Sequence, residues 1–542
     1  MSPTETARDS DWLQLARVAR SRGDYSEALA CAMRAVDARH DHVDALVERA
    51  RIFLLLCNAE EARDDFNLAL AFDPRCSAAA AGLARMDRES GDLDSAVSLL
   101  LEAAQWGAGD AEVYCELALA QNRLGDTDAA QSTYERALEL APGNCAAMVN
   151  LGLLFLSQRG EARRALQLFE RAAAIEPGFI AAQANLGLAL HELGRHEEAL
   201  AHLDRLIAAF PEVVEYRWNR GLASLAQGDF ARGWEGYELR HLRGSARPRD
   251  FLLPEWKRGN LQQRNLLVYG EQGVGDEIMF ASCLPDLLRD VDSAVVECDP
   301  RLQGLLQRSF PSVHVHGAAR GGAREWLSRF PQLDSQLAIG SLPRYYRRGL
   351  QDFPQQSGYI RVDAECEARW RHSLDALGRN VKVGICWRGG TLKTRREMRS
   401  LTLEHCMPLL QAPGCTFVCL NSGDCAREVA AARQAGVELA WWPEALGDFE
   451  NLAGLLMAVD LVITVPSSVA HLAGALGRLL WVLVSSSPEW RYLLEGSHMP
   501  WYPTARLFRQ AQPADWRSVI DPVAARLVDA TRDRVPEPGT RW

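Results

Sequence analysis

The chain of 542 residues is too long for a single hydrophobic core, so its length predicts about two to four domains. Its composition, with 48% hydrophobic and 24% charged residues, is that of a folded globular protein. The net charge of −11 argues against general binding to nucleic acid or to an anionic membrane, so any anion site must be a local basic cluster.

The start of the chain and its cysteines favour a cytoplasmic protein. The first residues lack the basic and apolar segments of a secretory signal, and no apolar run reaches the ~18 residues of a membrane-spanning helix. The 13 cysteines are scattered without a CxxC pair. We therefore expect neither a disulfide framework nor a zinc ribbon.

The first predicted elements are helix pairs that repeat. Gly91 and Gly125 are 34 residues apart, and Gly194 continues the series after a one-residue insertion near Gly160. Small residues at the same phase allow two helices to approach closely, and a proline ends the second helix of each pair. The pattern resembles the tetratricopeptide repeat, with about seven units between residues 9 and 240. The positions that share the period include Ala62, Phe66, Ala69 and Pro74, then Ala130, Tyr134, Ala137 and Pro142, then Ala165, Phe169, Ala172 and Pro177.

The last three repeats carry an asparagine at their sixth position, which faces the groove in tetratricopeptide arrays. These residues are Asn150, Asn185 and Asn219. Because an amide both donates and accepts hydrogen bonds, such a ladder could hold the backbone of a protein or peptide acceptor. The alternative is that Asn-Leu-Gly is a common sequence for this repeat, without a role in binding.

Residues 241–263 break the period and are rich in Arg, Pro and Gly, which predicts a connector. Flexible linkers lack large apolar residues, so we expect this connector to dock on one of its neighbours. Its apolar residues are Phe251, Leu252, Leu253, Pro254 and Trp256.

Alternating strands and helices follow the connector. One series of apolar strands begins at Leu266, and a second begins at Val381. Two such series predict two Rossmann-like lobes, at 264–378 and 379–510, with sites at the carboxyl ends of their parallel strands. Residues 511–542 are predicted to form a C-terminal helix and tail, and the helix could return to the first lobe.

The first strand ends in a glycine-rich loop, GEQGVGD at 270–276. Gly273 and Gly275 give its backbone freedom, and Asp276 opens the following helix. An acid at a helix start would repel a phosphate, and the G-x-x-G-x-G spacing is not the dinucleotide fingerprint. We therefore predict that this loop forms the acceptor side of a cleft, with Asp276 as a catalytic or structural carboxylate.

Two loops of the second lobe are predicted anion sites. Residues 387–399, WRGGTLKTRREMR, concentrate cations that suit a diphosphate, although a solvated basic loop would look the same. In residues 465–477, Ser467 or Ser468 is predicted to cap a helix. His471 in its first turn fits a ligand contact or a buried, hydrogen-bonded histidine. The cations of the first loop are Arg388, Lys393, Arg395, Arg396 and Arg399.

The second half resembles the GT-B glycosyltransferases of the lipopolysaccharide heptosyltransferase type. The whole chain resembles bacterial proteins that fuse tetratricopeptide repeats to such a domain. Its domain order is also similar to that of the O-linked N-acetylglucosamine transferases, whose catalytic motifs are not found here. The motifs that carry the resemblance are GEQGVGDEIMF, WRGGTLKTRR, DFENLAGLLMAVDLVITV, SSVAHLAGALG and PEWRYLLEGSHMPWYPTARLFRQ.

This resemblance implies an inverting transfer from a nucleotide-sugar, without a bound cofactor. The clustered cations and the lack of a credible metal-binding DxD motif predict that the transfer is metal-independent. The resemblance assigns Asp276 as the catalytic base and Lys393 as a phosphate contact. In the family, a segment Asp-Thr-x-x-x-His holds ribose and phosphate, and here it reads Pro466-Ser467-Ser468-Val469-Ala470-His471. Serine can replace the threonine hydroxyl, but proline cannot replace the aspartate.

Two readings of the function follow from the sequence. The first is a glycosyltransferase whose acceptor is a protein held by the repeats, with a lipid-linked glycan as a weaker option. The second is a GT-B scaffold that has lost catalysis and binds proteins through its repeats. Pro466 favours the scaffold, whereas Asp276 and the basic loop favour the enzyme.

Overall fold

The computed structural model describes residues 9–106, 110–243, 251–260, 264–319, 322, 324–390 and 396–532. It contains two compact units, Met1–Ala189 and Leu190–Trp542. Among the described residues, no helix is both long enough and apolar enough to cross a membrane.

The unit Met1–Ala189 consists of α-helices, and consecutive helices pack in pairs. Small residues make this packing close, as the sequence predicted. A Cβ atom added at Gly82 would lie 2.3 Å from the ring of Phe66, and one at Gly152 would lie 2.5 Å from the ring of Phe169. The helices are α1 (Asp9–Ser21), α2 (Tyr25–Ala38), α3 (Val43–Leu55), α4 (Ala59–Phe72), α5 (Ser77–Ser90), α6 (Leu93–Trp106), α7 (Ala111–Leu124), α8 (Thr127–Leu140), α9 (Cys145–Leu154), α10 (Ala162–Ile175) and α11 (Ile180–Glu192), the last of which crosses into the second unit.

The one-residue insertion before Gly160 is absorbed by a π-helical turn. The segment Phe155–Arg159 continues α9 with the wider π-helical hydrogen bonding. A π-turn holds one more residue than an α-turn of the same rise, so the following helix keeps its phase.

Each repeat turns at a residue in the left-handed conformation. In the first unit the positive φ angles are 80° at Gly23, 63° at Cys57, 97° at Gly91, 88° at Gly125 and 68° at Gly160. Cys57 therefore occupies a position that glycine fills in its neighbours, and its backbone is strained because its Cβ crowds the carbonyl.

The unit Leu190–Trp542 contains three more helices of the repeat array, followed by an α/β region. The helices are α12 (His196–Ala209), α13 (Val214–Ala226), α14 (Phe230–Tyr237), α15 (Val274–Phe280), α16 (Leu284–Leu287), α17 (Gln303–Ser309), α18 (Pro343–Tyr346), α19 (Ala364–Asp375), α20 (Arg396–Arg399), α21 (Leu403–Leu410), α22 (Ala426–Gln434), α23 (Pro443–Leu446), α24 (Phe449–Ala458), α25 (Ser468–Ala475) and α26 (Arg517–Arg532). The strands are β1 (Asn265–Tyr269), β2 (Ser293–Cys298), β3 (His314–Gly317), β4 (Ser335–Ala338), β5 (Val381–Cys386), β6 (Cys415–Cys419), β7 (Leu439–Ala440), β8 (Leu461–Thr464), β9 (Leu480–Val484), β10 (His498–Met499) and β11 (Tyr502–Arg509).

The strands form two sheets, one in each predicted lobe. The first has the order β3-β2-β1-β4 and the second the order β10-β11-β9-β8-β5-β6-β7. All neighbouring strands are parallel except β10 and β11. In the first sheet β1 lies between β2 and β4, and in the second sheet β5 lies between β6 and β8. The strand order changes direction at β1 and at β5, and such topological switch points are where ligands bind in open α/β sheets.

An aromatic cluster attaches α14 to both lobes. Trp234 packs edge to face on Trp490 with ring centroids 5.3 Å apart, and Tyr237 lies 6.3 Å from Phe280. The indole N–H of Trp234 donates to the carbonyl oxygen of Arg347 at 2.7 Å. The end of the repeat array is thus part of the core of this unit.

The connector docks on the first sheet. Phe251 and Trp256 are buried, whereas Leu252 is exposed. The backbone of Trp256 and Pro254 exchanges hydrogen bonds with Gln336 of β4, so the connector extends the edge of the sheet.

The helix α26 packs on the second sheet instead of returning to the first lobe. Its apolar residues Val519 and Val523 share a core with Val383 and Ile385 of β5. The contact removes apolar surface of the helix and of the sheet from water, which favours docking at this place.

We expect Cys57→Gly to raise the free energy of unfolding by about 1 kcal/mol, because glycine adopts the left-handed conformation without a steric cost. Urea denaturation followed by circular dichroism measures this change. Cys57→Ala keeps the Cβ and should leave stability unchanged. Gly91→Ala introduces a Cβ into open space at a φ of 97° and should lower stability by a similar amount. An unchanged midpoint for Cys57→Gly beside a lowered one for Gly91→Ala would contradict the prediction.

Candidate functional site

The glycine loop (residues 270–276) of the first lobe lies against the start of α25 in the second lobe. A Cβ atom added at Gly275 would lie 3.0 Å from Cδ2 of His471 and 3.5 Å from Cα of Ser468. A side chain at position 275 would therefore press on the second lobe. The carboxyl end of β1 and the carboxyl end of β8 meet here, as expected for a site at the switch points.

Asp276 lies in the first turn of α15, where its carboxylate is ion-paired with Arg491. The Nε of Arg491 donates to Oδ1 of Asp276 at 3.0 Å, and a terminal nitrogen donates to the same oxygen. Both side chains are mostly buried, with exposures of 20% for Asp276 and 13% for Arg491. The candidate base is thus held by a guanidinium from the other lobe.

Glu489 and Arg399 extend this ion pair into a network. Glu489 is ion-paired with Arg399, and its Oε2 lies 3.7 Å from a terminal nitrogen of Arg491. Two cations and two carboxylates therefore alternate next to the glycine loop, and their charges cancel.

A buried ion pair fixes the first half of the glycine loop. Arg240 follows the last repeat helix, and its guanidinium donates to both oxygens of Glu271 at distances of 2.7 to 3.0 Å. It also donates to the hydroxyl of Ser341 at 2.7 Å. The side chains of Arg240 and Glu271 are only 5% and 7% exposed. The backbone N–H of Gly340 donates to Glu271 at 3.2 Å, which ties the loop to the end of β4.

Two further contacts hold the loop. The hydroxyl of Tyr237 donates to Oε1 of Gln272 at 2.7 Å. The buried carboxylate of Glu277 accepts a hydrogen bond from the backbone N–H of Asp299 at 2.8 Å. Glu277 also fills the space beside Gly270, where a Cβ atom would lie 2.6 Å from its oxygen. The loop is therefore held at Glu271, Gln272 and Asp276 by side chains of two other segments, one with Tyr237 and Arg240 and one with Arg491.

His471 is buried, and its Nδ1 lies 3.1 Å from the hydroxyl oxygen of Tyr502. Burial lowers the pKa of His471 to about 4, and the positive charges of Arg491 and Arg399 act in the same direction against Asp276. The imidazole is therefore neutral at pH 7.

Ser467 stands at the N-cap position of α25, but its hydroxyl makes no hydrogen bond to the helix backbone. Its oxygen lies 3.1 Å from the hydroxyl of Thr464 instead. The prediction that Ser467 or Ser468 caps the helix is confirmed for the position of Ser467, although its side chain makes no capping hydrogen bond, and Ser468 is the first helical residue. Pro466 contacts the basic loop, since a Cβ atom at Gly389 would lie 2.4 Å from its carbonyl oxygen.

Two of the described cations of the basic loop, Arg388 and Arg399, have carboxylate partners. The guanidinium of Arg388 donates to Glu428 at 2.8 Å, and Arg399 is paired with Glu489. Lys393 and Arg395, which the sequence predicts to bind phosphate, lie outside the described residues.

The predicted asparagine ladder is divided between the two units. Asn150 on α9 and Asn185 on α11 are half-buried in the first unit, and Asn219 on α13 belongs to the second. The amide of Asn185 donates to the carbonyl of Ala181 at 2.8 Å, one turn earlier in its own helix.

Two earlier repeats carry a glutamate at the same sixth position, and each glutamate is paired with an arginine. Glu48 accepts a hydrogen bond from Arg20 at 2.6 Å, and Glu116 lies 3.1 Å from Arg88. The two pairs are two repeats apart, and in both the arginine comes from the preceding repeat. The sequence analysis did not identify these pairs, although their spacing of 28 residues is the same.

Sequence reasoning also missed Arg491, Arg240 and Tyr502 as site residues. Arg491 and Tyr502 lie in the motif PEWRYLLEGSHMPWYPTARLFRQ, which entered the sequence analysis only as a family feature. Arg491 is 215 residues from Asp276, so no local period could have paired them. Within the described ranges, no group of three or more His, Cys, Asp or Glu side chains is placed to hold a metal ion.

Comparisons with known proteins identify the repeats. Models of the tetratricopeptide repeat match residues 13–75, 111–144 and 156–220. The chain therefore carries an array of tetratricopeptide repeats in its N-terminal half, joined to a region of mixed α/β structure.

The chain is also similar to Protein FlbA of Caulobacter vibrioides, with 32% identity over 363 residues. The match covers 63% of this chain and 59% of FlbA, so the chain spans less than two thirds of this relative.

Among solved structures, PilF of Pseudomonas aeruginosa matches with 20% identity and a TM-score of 0.33, covering 38% of this chain and 94% of PilF. A thermophilic tetratricopeptide-repeat protein of Thermus thermophilus matches with 25% identity and a TM-score of 0.30, covering 34% of this chain and 99% of its own.

We expect Arg240→Met to destabilise the protein by ~3 kcal/mol, because it leaves the carboxylate of Glu271 buried without its cation. Urea denaturation of the full chain measures the loss. The double variant Arg240→Met, Glu271→Gln removes both charges and should recover part of it. Arg232→Met, at an exposed ion pair, should change stability by less than ~1 kcal/mol.

A double variant that is as unstable as the sum of its two single variants would show that Arg240 and Glu271 do not act as a pair.

Proposed function

We propose that the α/β region is a GT-B glycosyltransferase domain that transfers a sugar from a nucleotide-sugar to an acceptor. The transfer inverts the configuration at the anomeric carbon and proceeds without a metal ion. The observation that supports this function best is the contact between Gly275 and His471, which brings Asp276 next to the start of α25. In a two-lobed transferase the acceptor bound to one lobe must meet the donor bound to the other. Loops at the carboxyl ends of β1 and β8, which lie against each other, suit such a meeting.

In this proposal Asp276 is the general base. Its carboxylate takes the proton of the acceptor hydroxyl as the hydroxyl oxygen attacks the anomeric carbon. The bond from that carbon to the diphosphate breaks, and the leaving group keeps the electron pair. Lys393, Arg395 and the N–H groups around Ser467 and Ser468 stabilise the negative charge of the diphosphate.

The ion pair with Arg491 bears on this step. Arg491 keeps Asp276 in one position, which orients the carboxylate, but it also competes with an incoming hydroxyl for the same oxygen. Acceptor binding therefore has to use the second oxygen of Asp276 or displace the guanidinium. We assign Arg491 as a positioning residue for the base.

The acceptor in this proposal is a protein or peptide that binds the tetratricopeptide repeats in the cytoplasm. Repeat arrays of this kind bind polypeptides in their groove, and the half-buried amides of Asn150 and Asn185 are placed on repeat helices. No nucleic acid or membrane partner is part of the proposal, in line with the net charge of −11.

A second candidate function is a protein-binding scaffold that has lost catalysis. The specific observation in its favour is that Asp276, Arg388 and Arg399 are all ion-paired with residues of the chain itself. Pro466, in place of the family aspartate, favours the same candidate.

The two candidates differ in donor binding. We expect one sugar nucleotide among the UDP, GDP, ADP, CMP and dTDP series to raise the melting temperature of the full chain, because a live donor site binds only the folded state. Differential scanning fluorimetry at millimolar ligand makes the measurement. Absence of any stabilising compound would favour the scaffold.

With that donor, Asp276→Asn should reduce turnover at least ~100-fold while donor binding persists, because an amide cannot accept the proton. The control Asp292→Asn removes an exposed carboxylate of the same lobe and should retain full activity. Wild-type rates in Asp276→Asn would show that another group is the base.

The triple variant Asn150→Ala, Asn185→Ala and Asn219→Ala should raise the KM for a polypeptide acceptor by at least about tenfold, since each lost amide contact contributes on the order of 0.5–1.5 kcal/mol. Hydrolysis of the nucleotide-sugar in the absence of acceptor reports on the transferase site and should not change. Equal losses in both reactions would point to misfolding and would argue against an acceptor ladder.

A further inference from the structure

Four charged side chains of alternating sign connect the basic loop (residues 387–399) to the glycine loop. Arg399 is ion-paired with Glu489, and Glu489 lies next to Arg491. Arg491 is in turn ion-paired with Asp276. None of the four side chains is more than 28% exposed, so water and salt screen their charges only in part. A change of partner at one end of the series therefore changes the attraction at the other end.

Arg491 is shared unequally between two carboxylates. Its Nε donates to Oδ1 of Asp276 at 3.0 Å, and one of its terminal nitrogens donates to the same oxygen. Its other terminal nitrogen lies 3.7 Å from Oε2 of Glu489, which is too long for a hydrogen bond. A charge-assisted hydrogen bond measures about 2.7–2.9 Å, so a shift of about 1 Å would complete the contact with Glu489.

The backbone next to Arg491 is clamped, so a change of partner has to occur by movement of its side chain. The guanidinium of Arg509 donates to the carbonyl oxygen of Tyr492 at 2.6 Å and to that of Leu493 at 3.1 Å. Leu493 has a φ of 57° and a ψ of 173°, a conformation that is strained for residues other than glycine. Such a residue persists only where the surrounding contacts hold it, and the guanidinium of Arg509 is one of these contacts.

Arg491 occupies the oxygen of Asp276 that is turned toward the second lobe. The other oxygen, Oδ2, lies over the glycine loop, where a Cβ atom added at Gly273 would be 3.4 Å away. Gly273 is the N-cap residue of α15, so Oδ2 is turned back toward the start of its own helix. In the proposed reaction an acceptor between the lobes therefore needs Oδ1, and the guanidinium has to leave that oxygen first.

An anion bound at the basic loop would start this movement. Arg399 is a cation of that loop, and the carboxylate of Glu489 competes with any anion for its guanidinium. A diphosphate carries several negative charges and several acceptor oxygens, which suit a guanidinium well. When Arg399 turns to it, Glu489 loses the nearer of its two cations, and its charge then acts on Arg491.

We propose that Glu489 is a positioning residue that draws Arg491 away from Asp276 when an anion binds Arg399. The candidate base is thus covered in the free protein and uncovered once the diphosphate of the donor is in place. This inference rests on the proposed function for the nature of the anion and for the role of Asp276. The exchange of ion pairs itself depends only on the four side chains.

The Nε–H resonance of Arg491 reports its partner in NMR spectra of the full chain carrying 15N-labelled arginine, and its loss in Arg491→Lys assigns it. We expect its proton to resonate downfield in the free protein, where Nε donates to Asp276. Inorganic pyrophosphate should move it upfield, because Nε loses this acceptor. An unchanged resonance at millimolar pyrophosphate would overturn the proposal.

The variant Arg399→Gln tests the exchange without any ligand. It removes the nearer cation of Glu489, so Arg491 becomes the nearest one that remains. We expect the Nε–H resonance of Arg491 to lie upfield before pyrophosphate is added. A resonance that stays at its wild-type position in Arg399→Gln would overturn the proposal.

The variant Glu489→Gln should change anion affinity and turnover in opposite directions. Its amide competes weakly for Arg399, so we expect pyrophosphate to bind about fivefold more tightly in isothermal titration calorimetry. Arg491 has lost its second carboxylate, so its resonance should keep the position of the contact with Asp276 after pyrophosphate is added. Turnover of an active donor should fall at least ~10-fold. Weaker binding together with lower turnover, at an unchanged urea midpoint, would overturn the proposal.

The matched control is Glu450→Gln. Glu450 also joins the two lobes, through an ion pair with Arg308 at 2.6 Å, and its exposure of 26% is close to the 28% of Glu489. This variant should leave the affinity for pyrophosphate, the resonance of Arg491 and turnover unchanged. Equal effects of Glu450→Gln and Glu489→Gln would overturn the proposal.

The spectra require no turnover, so this inference and the proposed function can fail separately. Exchange of Arg491 in a protein that no sugar nucleotide stabilises would refute the transferase alone. An active transferase in which Arg491 stays on Asp276 with pyrophosphate bound would refute this inference alone.

Discussion

The ion pair of Arg240 and Glu271 is the constraint on which the candidate site depends. A loop with three glycines in six residues has little stiffness of its own, since glycine leaves the backbone free. The planar guanidinium fork grips both carboxylate oxygens, and the same carboxylate accepts from the backbone of Gly340. The loop is therefore fixed relative to the end of β4 and to the segment that ends the repeat array. Once its position is set, Gly275 and Asp276 can face the second lobe at defined distances.

Charges at the candidate site are paired within the protein. Asp276 with Arg491, and Arg399 with Glu489, form a nearly neutral network in which His471 stays uncharged. Such a network keeps groups in place but contributes little net stability, because desolvation offsets most of the attraction. A ligand that carries negative charge has to exchange these partners, so binding and rearrangement of the ion pairs would be coupled. The two proposed functions differ in whether a nucleotide-sugar can make that exchange.

The repeats show how far local patterns reach. The period of 34 residues aligned the glycines that the structure places in left-handed turns, and the insertion near Gly160 marked the place where the helix widens into a π-turn. The sequence pattern could not show that Cys57 adopts the left-handed conformation, because the other repeats have glycine at this position and cysteine rarely adopts it. The small residues at the same phase predicted the close approach of paired helices, whereas the contact of Gly82 with the ring of Phe66 was shown only by the structure.

The sequence by itself determined the repeat array, the two series of strands and the glycine loop, since side-chain periodicity and turn residues act within a few residues of each other. It also placed Asp276, Ser467 and His471 at strand ends. Only the tertiary structure decided which of these residues meet, because contacts such as Asp276 with Arg491 join segments 215 residues apart. The docking of α26 on the second sheet and the hydrogen bond between His471 and Tyr502 have the same origin. The partners of buried polar groups are set by tertiary packing and not by the spacing of residues along the sequence.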